Sequence, residues 1–134
     1  MSSDGAGGSE EIALGLPASA EWLALARTTG AAIASRWHFT YDEIADLRLA
    51  IDELCLTLIE PGPVHRLELI YSLDPTSIEV RGHITLDGSA PSETAAPSST
   101  ELSERILDAL VDAHGSKRDA STRTGWLRKE RSVP

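Results

Sequence analysis

Apolar residues recur at steps of three and four from Ile44 to Leu58. Ile44, Leu47, Ile51, Leu54 and Leu58 form one stripe, which predicts a helix over 40–59 with that stripe facing a core. Thr40 and Glu43 have the spacing of a capping box, and Pro61-Gly62-Pro63 ends the element. Trp37-His38-Phe39, just ahead of the cap, reads as a hydrophobic staple or core plug. An earlier helix is predicted after Pro17, with Ser19 as its N-cap and Trp22, Leu23, Leu25, Ala26, Thr29 and Ile33 on its apolar side. A third is expected from Thr100, through Leu102, Ile106, Leu107, Leu110 and Val111, to a stop at Gly115.

Alternation with a period of two marks the strands. Residues 11–16 alternate weakly. Residues 66–73 put Leu67, Leu69, Tyr71 and Leu73 on one face, and residues 77–86 do so with Ile78, Val80, Ile84 and Leu86. Asp74-Pro75-Thr76 is the turn of an antiparallel hairpin. Gly82 interrupts its face, the mark of a bulge or a close backbone approach. Residues 87–100 are small, polar and proline-containing and read as a loop, and 121–128 read as a last short strand with Trp126 and Leu127. This order favours a two-layer α/β sandwich over residues 11–131, a single domain without internal repeats, behind a disordered leader at 1–10.

Composition narrows the function. A net charge of -9 on 134 residues argues against nucleic acid as the main ligand. The charge is uneven: residues 1–112 carry 19 acidic and 6 basic side chains, residues 113–134 carry 6 basic and 2 acidic. That basic end reads first as solvated surface, second as a docking edge for an acidic partner. The single cysteine, Cys55, excludes an intrachain disulfide and fits a buried structural thiol in a reducing cytoplasm. No apolar run approaches membrane-spanning length, and the N-terminus lacks the basic and apolar regions of a secretion signal, so a cytoplasmic protein is expected. His38, His65, His83 and His114 are scattered, without the spacing of a protein-built metal site.

The acidic pair Asp52-Glu53 is the candidate chemistry of the central helix. Glu53 and Thr57 stand one turn apart; Arg48 and Asp52 have the spacing of an ion pair on a solvated face. The segment DLRLAIDELCLTLI resembles the N-box helix of the GHKL (Bergerat) ATPases, most of all that of the RsbW-type anti-sigma-factor serine kinases of bacteria. The resemblance extends through the element order to about residues 11–131. It implies a mixed, mostly antiparallel sheet covered on one face by about three helices. It also implies ATP with magnesium as cofactor, a sigma factor or a STAS-type anti-anti-sigma protein as partner, and a homodimer; the charge and the lack of a long apolar run already speak against nucleic acid and membrane. Glu53 falls where the family has its catalytic base, and Thr57 where it has the asparagine that holds the magnesium ion of ATP. Arg27, in LALARTTGAAI, matches an A-R-x-T arginine on the partner-facing helix, although an amphipathic helix also carries such an arginine simply solvated.

The family's phosphate-binding motifs are altered. D-x-G-x-G aligns with Gly82-His83-Ile84-Thr85-Leu86, so Gly82 stands at the adenine-binding aspartate; Asp87-Gly88 could serve only if the strand slipped. The closing G-x-G-L aligns with Ser98 to Leu102, which has no glycine for a phosphate-wrapping turn. The expectation is an anti-sigma-type regulator acting by protein binding, with a reduced nucleotide site. The alternatives are an active serine kinase with Glu53 as base, and a non-switching scaffold subunit.

Overall fold

A computed structural model describes residues 10–59, 64–86, 97–119 and 121–132. The chain runs β1 (Glu10–Pro17), a 3-10 turn (Ala20–Trp22), α1 (Leu23–Arg36), α2 (Tyr41–Ile59), β2 (Val64–Asp74), β3 (Ser77–Leu86), α3 (Pro97–Leu110), β4 (Ala113–Arg118) and β5 (Thr122–Glu130). The strands form one sheet in the order β1-β2-β3-β5-β4, and every pairing is antiparallel. This is the expected two-layer sandwich. Leu67, Leu69, Tyr71, Leu73, Ile78, Val80 and Ile84 are buried on one face of the sheet. The opposite face shows exposed Arg66, Glu68, Arg81 and His83.

Helix α2 lies between α1 and α3 and packs on β3 and β5. Its buried stripe is Leu47, Ala50, Ile51, Leu54, Cys55 and Leu58, with Ile44 only partly buried. The capping box is present in both directions: Thr40 N–H donates to Glu43 Oε1 at 2.7 Å, and Glu43 N–H to Thr40 Oγ1 at 3.1 Å. Pro61-Gly62-Pro63 lie outside the described residues. Within them, Arg123 of β5 donates through Nη1 to Leu58 O at 2.7 Å, placing a cation on the free carbonyls at the helix end. Tyr71 donates its hydroxyl to Ala26 O at 2.7 Å, tying the sheet to α1. Phe39 is buried and Trp37 packs against the core, as the plug reading requires.

Two glycines let α2 approach the sheet. Gly82 on β3 is the register partner of Gly125 on β5. A Cβ on Gly82 would meet Leu58 Cδ1 at 2.6 Å, and one on Gly125 would meet Leu54 Cδ1 at 2.8 Å. Gly82 therefore marks a close approach, of helix to strand.

Several sequence expectations are corrected. Ser19 precedes only the 3-10 turn and makes no side-chain cap; α1 begins at Leu23 with Trp22 in its N-cap position. Trp22 and Leu25 are 40% and 45% exposed, and the buried face of α1 is instead Leu23, Ala26, Gly30, Ile33 and Ala34. Helix α3 starts at Pro97, so Thr100 lies inside it. Leu102 is 59% exposed; the buried positions of α3 include Ser103 and Leu107. Gly115 does not stop that helix. It belongs to β4, a strand the pattern misses, and lies against the indole of Trp126, its register partner on β5. Side chains beyond Thr85 in β3, including Leu86, lie outside the description.

Candidate functional site

Glu53 and Thr57 face the same neighbour because they stand one helical turn apart and α3 runs alongside. That neighbour is Ser103. Its hydroxyl donates to Glu53 Oε2 in a short hydrogen bond. Thr57 donates its own hydroxyl to the Glu53 backbone carbonyl at 2.8 Å and lies 3.1 Å from Ser103 Oγ. The carboxylate and two hydroxyls thus form a closed group. Among the described residues the Thr57 hydroxyl proton goes to the α2 backbone, a local bond that serine and threonine side chains often make in helices.

The group borders a cavity of about 110 Å³ lined by Leu54, Thr57, Ser103, Leu107, His114 and Gly125, among others. Small-molecule sites usually occupy roughly 300–1,000 Å³. The cavity walls mix three leucines, Leu54, Leu58 and Leu107, with polar side chains and two glycines. His114 is fixed at one side, its Nε2 at 2.7 Å from Asp108 Oδ1.

The remaining candidates are spread apart. Gly82 is buried beneath Leu58, in a strand hydrogen-bonded on both edges. Asp87 and Gly88 lie outside the described residues. In the stretch aligned with the family's closing glycine segment, the backbone is already helical. Arg27 reaches across from α1 to Asp52, Nη1 to Oδ1 at 2.7 Å. Asp52 therefore pairs between helices with Arg27, in place of the Arg48 pairing expected along its own helix. Each side chain of the pair is 34% exposed, so it counts as a surface ion pair worth about 0–1 kcal/mol.

Ser103 was the missing member of the site in the sequence. A serine four residues before Leu107 sits on the same helical face, and that spacing was the available signal. Cys55, one turn from Ile51 and Ile59, is fully buried; burial, and next the nearby Asp52, push its thiol up to about 12. No group of three or more His, Cys, Asp or Glu side chains gathers for a metal ion among the described residues. No helix there is long and apolar enough to cross a membrane.

No family model matches the chain. It is similar to "Serine-protein kinase RsbW" of Bacillus thuringiensis (strain Al Hakam), of Bacillus cereus (strain AH820) and of Bacillus anthracis (strain A0248). Each is 32% identical over 74 residues, 53% of this chain and 46% of the relative. The chain spans about half the length of the curated relatives it matches.

Proposed function

We propose that this chain is an RsbW-like regulator that controls transcription by binding a sigma factor, a STAS-type anti-anti-sigma protein, or both in turn, with a reduced nucleotide site. The observation that carries the reading is the closed Glu53–Ser103–Thr57 group. Phosphoryl transfer needs a free base for the nucleophile, a ligand for the metal, and room for the phosphates. Here the base-position carboxylate already holds a hydroxyl of its own chain. The metal-position hydroxyl is held between the helix backbone and Ser103 Oγ, which orients it within the group. The adjoining cavity, about 110 Å³, is smaller than the roughly 300–1,000 Å³ usual for small-molecule sites, which supports a reduced nucleotide site.

Protein binding is supported from the other side of α2. Trp22 and Leu25 stand exposed at the start of α1, the helix that also carries Arg27. Large apolar side chains left in water at one helix end suit a protein partner better than a solvated scaffold surface. A homodimer and a cytoplasmic location belong to the same reading.

The test pairs calorimetric titration with Mg-ATP and Mg-ADP and co-purification with sigma factors and STAS proteins of the same cell. The expected result is a stable protein complex formed without nucleotide, and no binding heat up to millimolar nucleotide. The serine-kinase alternative has one observation in its favour: Glu53 accepts a hydrogen bond from a serine hydroxyl, as a catalytic base must. Transfer of labelled phosphate from ATP to a STAS protein, abolished by Glu53→Gln, would establish that alternative and refute the reduced site.

A further inference from the structure

A second cavity, of about 230 Å³, opens at the far end of α2, about 24 Å along the helix axis from Thr57. Its walls are Arg36, Trp37, His38, Pro75 and Arg131. Three separate parts of the chain meet there: the end of α1, the β2–β3 turn and the segment after β5. Trp37 is held by its indole N–H, which donates to Asp74 O at 2.7 Å. Arg131 is held by its backbone N–H on Thr76 O at 2.9 Å and by Nη2 on Pro75 O at 3.2 Å. His38 adopts φ 67 as the residue after the α1 cap, where Phe39 N–H donates to Ala34 O at 3.1 Å and closes the helix end.

The lining has cationic and N–H donor groups and no carboxylate. Among the described residues neither Arg36 nor Arg131 forms an ion pair, although the protein carries a net charge of -9. Neighbouring acids are engaged elsewhere: Glu130, which directly precedes Arg131, pairs with Arg128 at 3.0 Å. Asp74 accepts from Thr76 N–H, Ser77 N–H and the Ser77 hydroxyl; Glu43 accepts from Thr40 and Ser132. Arg131 Nε is buried without an acceptor, so only the terminal guanidinium nitrogens can serve the cavity. An oxyanion there supplies a charged acceptor to those N–H groups.

We propose that this cavity binds a phosphate group. Two guanidinium charges, one of them tethered through Arg131, with the His38 ring as a further donor, match a group carrying about -1.5 to -2 at neutral pH better than a single-charged carboxylate. Water occupies about 30 Å³ per molecule, so 230 Å³ admits a phosphate together with several waters or part of a larger ester. The bound species is a free phosphate ion or the head of a phosphomonoester whose remainder stays in solvent.

The experiment is a titration of the full chain with inorganic phosphate, followed by NMR of the arginine Nε–H and Trp37 indole N–H signals. Acetate and chloride serve as controls. Saturable shifts at millimolar phosphate are expected, weakened about tenfold in Arg36→Gln and in Arg131→Gln, with acetate binding at least about tenfold more weakly than phosphate. Arg36 is exposed at a helix end, so its variant keeps the test intact should Arg131→Gln unfold. Free O-phosphoserine separates the two sources: tighter binding than the free ion assigns a phosphomonoester, equal or weaker binding assigns the ion. Non-saturating shifts, equal shifts with chloride, or shifts unchanged in Arg36→Gln would overturn the proposal.

Discussion

Gly82 and Gly125 face one another across β3 and β5, and the methyl groups of Leu58 and Leu54 occupy the space that their missing Cβ atoms leave. The helix that carries Glu53 and Thr57 rests on this pair. Replacing Gly82 or Gly125 by alanine is expected to destabilise the protein by about 1–3 kcal/mol, the usual cost of overpacking a filled core. Denaturant melts measure it. Because the clash is with Leu58, most of the Gly82→Ala cost should vanish in a Leu58→Ala background; an undiminished cost would rule out this packing.

The Ser103 hydroxyl holds α3 to α2 through a charged acceptor. Ser103→Ala should cost about 1.5–3 kcal/mol, the range for hydrogen bonds to charged groups, and Thr57→Val should add less than its separate cost because the two hydroxyls share one group. A double-mutant cycle gives the coupling. Strict additivity would mean the three groups act independently.

Acid should loosen the start of α2. Burial pushes the Glu43 carboxyl up, but hydrogen bonds from Ser132 and Thr40 outweigh it and bring it down to about 2. A carboxyl lowered on folding stabilises the native state above its ordinary value of 4.5, and that contribution fades as pH falls from there toward 2. Stability measured across this window should drop more steeply in the natural protein than in Glu43→Gln. Parallel curves would remove Glu43 as the cause.

Cys55 gives a reporter of opening. With its thiol buried and pushed up to about 12, it should react with a thiol reagent only as fast as the core exposes it. Labelling should slow in step with added stability and complete at once in denaturant. Rapid labelling of the native protein would contradict the packing of α2.

What the sequence revealed was local. The capping box lies within four residues, and the α2 stripe and the β2–β3 alternation each lie within one element, so periodicity carries them. What it concealed depends on distant partners. Asp52 has an arginine four residues away, yet binds Arg27, 25 residues away in the chain and brought near only when α1 packs on α2. Strand β4 shows no alternation because it is an edge held by its backbone ladder to β5, with Ser116, Lys117 and Arg118 in solvent. Ser103 was hidden because a hydroxyl in a helical stripe reads as a gap until the carboxylate opposite it is known.

The placement of β5 between β3 and β4 carries a consequence for the nascent chain. Until residues 122–130 emerge from the ribosome, β3 has one bare edge, α2 lacks both its Gly125 seat and the Arg123 cap, and the sheet stops at three strands. A bare, apolar strand edge invites pairing with other copies. A fragment ending at residue 119 should therefore sediment as aggregates where the whole chain does not; a soluble, monomeric fragment would show that α3 alone shields that edge. Until residues 122–130 are made the sheet cannot close beneath α2, so a chain cut before them is an aggregation hazard and not a smaller folded domain.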